Sequence, residues 1–321
     1  RVLTGSCAGA SPIAKAYLAD VGAAQGKLPR YLAWRDAAGT LAFIVGPAVS
    51  GQIFSLFEVR RGISASLAMV IGTAAAGSLV AAGLVASLAT SPPSVDRAAL
   101  RAAKESAKPA PDPSLIACPL GASLVAGVAT VCVVSSFKDF GVSAYDAFFA
   151  LLLKTRFGFD TRAISLAYSG LNCLSLGVST LVASRAIRLL GPVRACVAGL
   201  GCISLGLLGV GSVAAAGGGG GLLSPAAQAL FWASVGLYQV GVPLFGPTVP
   251  TMLLQCVPPN RRGTVMGIDN AINTIARVIA PIFLGMLYAR AGAGACFTVA
   301  SGVVATSAAV AALRRLLVMR A

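Results

Sequence analysis

The chain has 321 residues, of which 57% are hydrophobic and only 11% charged, with a mean hydropathy of +0.84. A soluble domain carries about 25% charged residues, so a chain this poor in charge cannot cover a water-facing surface, and its charges fall in short clusters between long apolar runs, as in membrane proteins. The net charge of +15 does not call for nucleic acid, because the basic residues flank apolar runs and do not interleave with aromatic ones; the absence of histidine excludes a His-based metal site, catalytic triad or proton relay.

A span of about 20 apolar residues crosses the hydrocarbon core. On that measure nine spans are predicted, over roughly 1–18, 37–57, 63–88, 120–150, 163–185, 192–214, 223–252, 264–288 and 293–313. The first begins with Arg1-Val-Leu-Thr-Gly5 and is followed by Tyr17-Leu-Ala-Asp20 and a basic loop with Lys27, Arg30 and Arg35. An arginine inside a span is costly and faces a polar cavity as a rule. The second carries Gly39, Gly46, Pro47 and Gly51. Pro47 removes one helix hydrogen bond and bends the span, and glycines let neighbours come close. That motif serves either helix packing or gating. Asp20 reads as a cap or as a partner for Lys27 or Arg30 ahead of a substrate contact.

Residues 91–113 are polar, with five prolines and four basic residues, and read as a charged linker. The fourth span holds Lys138 and Asp139 and is over-long, so it is expected to start late or to break near Gly141. Most of the eight cysteines fall in apolar runs and read as small buried hydrophobes, with neither a disulfide framework nor a zinc site. Fifteen Lys and Arg residues lie on one set of loops against six on the other. The positive-inside rule then puts the linker and the C-terminus in the cytosol and residue 1 toward the outside.

A short repeat links the two ends of the chain. Pro12 and Pro47 are 35 apart with Gly51 four beyond, and Pro247 and Pro281 are 34 apart with Gly285 four beyond. Duplicated halves are common in transporters.

With these motifs the chain resembles the major facilitator superfamily from its fourth span onward. Arg1-x-x-x-Gly5 is similar to the fourth-span motif of that family, and Gly46-Pro47-x-x-Ser50-Gly51 to the fifth-span antiporter motif, with Ser50 where a glycine is usual. Tyr17–Asp20 and the basic loop after it also resemble the drug:proton antiporters, including the tetracycline-efflux type, while Arg185–Arg194 resembles the superfamily's reduced basic loop between spans eight and nine and Arg261–Pro281 its spans ten to eleven. The resemblance implies an all-α membrane fold with nine of twelve spans in this chain. Residues 1–90 would be the remainder of an N-terminal six-helix bundle, 91–114 a cytoplasmic linker and 115–321 a C-terminal bundle. It also implies a secondary transporter working by alternating access and exporting a small organic molecule against protons, with no cofactor and no enzymatic activity. A metabolite uniporter or symporter, or a non-transporting receptor or assembly protein on the same scaffold, stays open.

The ionisable residues inside spans are the functional candidates, since an unpaired charge in lipid is expensive. Asp139 and Asp146, seven apart on one helix face, are candidates for carrying the proton; alternatively Lys138 and Asp139 neutralise charges elsewhere. Asp269 is a further in-span carboxylate. Asn270, Asn273 and Arg277 share a face and either line the cavity or tie helices together, beside Arg1, Asn172 and Tyr238 as weaker lining candidates. Pro281 completes the packing or gating set with Gly5, Gly39, Gly46, Pro47 and Gly51. No Walker A sequence is present.

Overall fold

The computed structural model describes residues 28–88, 124–216, 224–257 and 261–320, and every regular element in them is helical. Arg1, Gly5 and Asp20 lie outside the described residues, as does the side chain of Arg30. The chain divides into two compact units, Arg1–Pro109 and Ala110–Ala321.

In the first unit, Leu28–Leu88 bends at Gly62 into α1 (28–61) and α2 (63–88). Over 38–57 and 63–87 both helices are apolar on every side: Leu41, Phe43, Leu56, Ile71, Leu79 and Val85 are exposed, while Gly51 and Ser66 are buried. A helix that is hydrophobic all round belongs in a membrane or a large core. Within α1 the Ser50 hydroxyl donates to the Pro47 carbonyl at 3.2 Å.

The second unit begins with α3 (Leu124–Phe157), one unbroken helix. The break expected near Gly141 does not occur. A side chain at Gly141 would collide with Val304 and with the Ala300 carbonyl, so this glycine marks a helix crossing. The run Thr161–Leu190 forms α4, with a π-turn over Ser179–Ala183. Its start is fixed by Asp160, whose carboxylate accepts from the Ala163 amide at 2.8 Å. Next come α5 (Pro192–Ala216) and α6 (Pro225–Phe245), the latter capped by Ser224 with proline at its first position. Gly246-Pro247 interrupts the expected 223–252 span, and α7 (Thr248–Cys256) follows.

The last run, Arg262–Arg320, is two helices, α8 (262–291) and α9 (293–320), joined at Gly292. Gly292 (φ 81, ψ 178) and Gly62 (φ 79, ψ 172) adopt nearly the same backbone conformation. That region is accessible essentially to glycine alone. The Pro-x-x-x-Gly repeat therefore continues into structure: Gly62 lies 11 residues beyond Gly51 and Gly292 lies 7 beyond Gly285, about one helical turn less. Gly292→Ala is expected to lower stability by about 1–3 kcal/mol. Gly302→Ala, where an added Cβ meets nothing within 4 Å, is expected to change it by less than about 0.5 kcal/mol. Unfolding midpoints of the full-length protein in detergent measure both; equal midpoints would refute the strained joint.

Seven stretches among the described residues are long and apolar enough to cross a membrane. The last of these, Thr264–Leu316, has 53 residues and is cut by Gly292, so the described residues supply eight crossings. The ninth expected span, 1–18, lies outside them. Inside the second unit, α3 packs along α8 and α9, α5 along α6 and α9, and α4 along α6. Phe149, Leu200, Ile203, Leu207, Phe231 and Phe297 fill the interior, all nearly inaccessible. Outward, Leu189, Leu205, Val278, Ile279, Ile282 and Leu313 are exposed. An apolar exterior this continuous is matched by lipid and not by water, and backbone polar groups in lipid are satisfied within helices. The chain is a multi-pass, all-α membrane protein.

One expectation about cysteines is corrected. Cys132, Cys173, Cys196, Cys202 and Cys296 are free thiols, but Cys256 is disulfide-bonded.

Candidate functional site

The polar residues of α3 and α8 meet across the one interface in the second unit where buried charge collects among the described residues. Asp139 lies 15 residues into α3, roughly 22 Å from the helix start at the α-helical rise, which is deep within a span. It is only 3% exposed. Two cations hold it. Lys138 Nζ approaches Oδ1 at 2.6 Å, and Arg277 Nε of α8 donates to Oδ2 at 3.1 Å. Lys138 also sits over the Phe245 ring of α6, 5.2 Å from its centroid. The Arg277 side chain is 64% exposed, so its guanidinium binds Asp139 on one edge and stays open on the other.

Two turns before Arg277 on the same face, Asp269 is 9% exposed. Asn273 stands between them and binds in three directions. Its Nδ2 donates to Asp269 Oδ2 at 3.1 Å and to Ser135 Oγ at 2.7 Å, and its Oδ1 accepts from Ser136 Oγ at 3.2 Å. The other carboxylate oxygen of Asp269, Oδ1, is buried and accepts no hydrogen bond among the described residues. The spacing 269, 273, 277 is i, i+4, i+8, one stripe along α8. On α3 the facing stripe is Cys132, Ser135 and Asp139, again at helical spacing.

The network brings together Asp139, Asn273 and Arg277 from the sequence candidates. Asn270, one residue off the stripe, is exposed. Asp146 is also exposed although it lies seven residues from buried Asp139. Asn172 is half-buried and donates to the Tyr168 carbonyl of its own helix at 2.8 Å. Tyr238 is buried in an aromatic column: its ring stacks on Tyr145 at 4.2 Å, Tyr145 stacks on Phe149 at 4.3 Å, and Gln239 reaches the Tyr145 hydroxyl at 3.5 Å. Cβ atoms added at Gly39 or Gly46 meet nothing within 4 Å, Gly51 is buried, and Pro281 is exposed. Ser135 and Ser136 were absent from the sequence candidates, and Asp269 stood among the in-span carboxylates without a partner assigned to it. The i, i+4 relation of Asp269 to Asn273 was the available signal.

No protein-family model matches the chain, and no curated protein matches it. Among solved structures, the human organic anion transporter MFSD10 (TETRAN) is similar at a TM-score of 0.49 and 21% identity, over 57% of this chain and 40% of that one. The chain thus matches less than half the length of that protein. A likeness this partial carries neither substrate nor mechanism over to this chain.

Proposed function

We propose that the chain is part of a secondary transporter of the major facilitator type, moving a small organic molecule by alternating access and coupled to protons. The observation that carries this reading is the charged network between α3 and α8. Lys138, Asp139 and Arg277 lie near the middle of apolar helices, and Asp269 lies two turns into one. Ionisable groups at such depth are expensive and mark ion or substrate paths by default. The open edge of Arg277 leaves the network with an exposed cationic face that a polar path would need. The repeated Pro-x-x-x-Gly helix followed by a positive-φ glycine supports a duplicated architecture, the basis of alternating access in transporters. In this reading the route runs past Asp139, Asp146, Asn270, Asn273 and Arg277, with Asn172 farther along the wall, while Tyr238 is packed in the core behind it.

The test uses the full-length protein in liposomes loaded with a pH-sensitive dye, with labelled amphipathic organic cations and anions as probes. A pH gradient is expected to drive accumulation of at least one probe and to be dissipated by it. Flux that ignores the gradient would leave a uniporter, and no flux of any probe or of protons would favour a non-transporting scaffold.

A further inference from the structure

Of the three carboxylates on the α3 and α8 spans, Asp139 is neutralised twice over, by Lys138 at 2.6 Å and by Arg277 at 3.1 Å. Asp146 is exposed. Asp269 alone combines burial with an oxygen, Oδ1, that no N–H or O–H donor reaches among the described residues; besides Asn273, the carboxyl has only the Cys132 thiol, a weak donor, as a hydrogen-bonding neighbour. A buried acceptor left without a donor loses its water and gains nothing in return. For a carboxylate the loss falls on the charged form, and adding one proton removes the charge.

We propose that Asp269 is the protonation site of this protein, a carboxyl that takes up and releases one proton while Asp139 stays a fixed counter-ion to Lys138 and Arg277. The proposal deepens the proton-coupled reading above and rests on it for its role in transport. The geometry supports the division of labour. Asn273 Nδ2 anchors Oδ2 of Asp269 and leaves Oδ1 as the place where the proton adds. The step is a simple exchange: a proton from the aqueous path bonds to Oδ1, the carboxylate becomes a neutral acid, and the reverse step returns the proton on the other side. The titratable and charged groups facing Asp269 are Cys132, Lys138 and Asp139 of α3, with Arg277 two turns along its own helix. Protonating Asp269 also changes what Asn273 holds. Asn273 contacts Ser135 and Ser136 as well, so the change passes directly to α3.

The proton itself is the probe. Full-length protein in liposomes is stepped between acidic and alkaline buffer while infrared difference spectra are recorded. A protonated-carboxyl band is expected in the wild type and is expected to vanish in Asp269→Asn, while Asp139→Asn and Asp146→Asn keep it. Asp269→Glu is expected to retain the band with a displaced midpoint, which also covers the case in which Asp269→Asn does not fold. A band that survives in Asp269→Asn, that disappears instead in Asp139→Asn or Asp146→Asn, or whose midpoint is unmoved in Asp269→Glu would overturn the assignment. The outcome is independent of the flux assay: a band lost with Asp269 in a protein without gradient-driven flux keeps the protonation site and removes its coupling role.

Discussion

Asp139→Asn is expected to destabilise the protein by about 3 kcal/mol, the lower end of what removing one partner of a buried ion pair costs. The size follows from what is left behind. Lys138, with its side chain 13% exposed, loses its 2.6 Å partner and becomes a cation in an apolar span. The Phe245 ring, 5.2 Å from its nitrogen, and the more distant carboxylates Asp146 and Asp269 compensate it only in part. Arg277, 64% exposed, recovers hydration, which holds the cost near the lower end. The double variant Lys138→Met/Asp139→Asn removes the stranded cation together with its partner and keeps the side-chain stem. It is therefore expected to regain most of the loss, since replacing a buried pair by apolar groups is often neutral. Arg277→Gln, acting on the exposed end, is expected to cost no more than about 1 kcal/mol. Unfolding midpoints of the full-length protein in detergent measure all three. If the double variant is no more stable than Asp139→Asn, Lys138 is not the group that Asp139 stabilises.

The spans were legible in the sequence because apolar length is a one-dimensional property. The expected 37–57, 63–88 and 192–214 correspond to Ala38–Glu58, Gly62–Ser87 and Pro192–Ala216. The glycines were less legible. Gly141 reads from the sequence as a break, and only the position of Val304 and Ala300 on α9 shows that it is a close approach. Gly292, by contrast, stands between two apolar runs, where a joint was expected, and its φ of 81° makes it one. The site was half legible. The i, i+4 and i+7 arithmetic finds which residues share a helix face, and it placed Asn273 and Arg277 together. It cannot show which helix faces them, so the pairing of Arg277 with Asp139, 138 residues away, was out of reach. Nor does helix phase fix burial: Asp139 and Asp146 share a side of α3, yet one is buried and the other exposed.

Close packing supplies the other large effect, and it sits at glycines that no sequence motif singles out. A Cβ built on Gly241 of α6 would lie 2.6 Å from the Gly199 carbonyl oxygen, 2.8 Å from the Ile203 amide nitrogen and 2.7 Å from Ile203 Cγ1, all on α5. The same crossing repeats at Gly206, where a Cβ would lie 2.7 Å from the Ser234 carbonyl oxygen and from Tyr238 backbone. Most of these obstacles are backbone, so no rotamer change relieves them, and the two helices must part. Gly241→Leu is therefore expected to cost more than the roughly 1–3 kcal/mol of ordinary overpacking. Parting α5 from α6 strips contacts from Leu200, Ile203 and Phe231, which are all but fully buried. Gly241→Ala is expected to fall within that ordinary range. Gly201→Ala on α5 and Gly236→Ala on α6, where an added Cβ meets nothing within 4 Å, are expected to leave stability within about 0.5 kcal/mol of the wild type. Size-exclusion profiles and unfolding midpoints of the four full-length variants decide the matter. Gly241→Leu unfolding at the midpoint of Gly236→Ala would mean that α5 and α6 do not approach each other there, and the buried core built on their crossing would have to be redrawn.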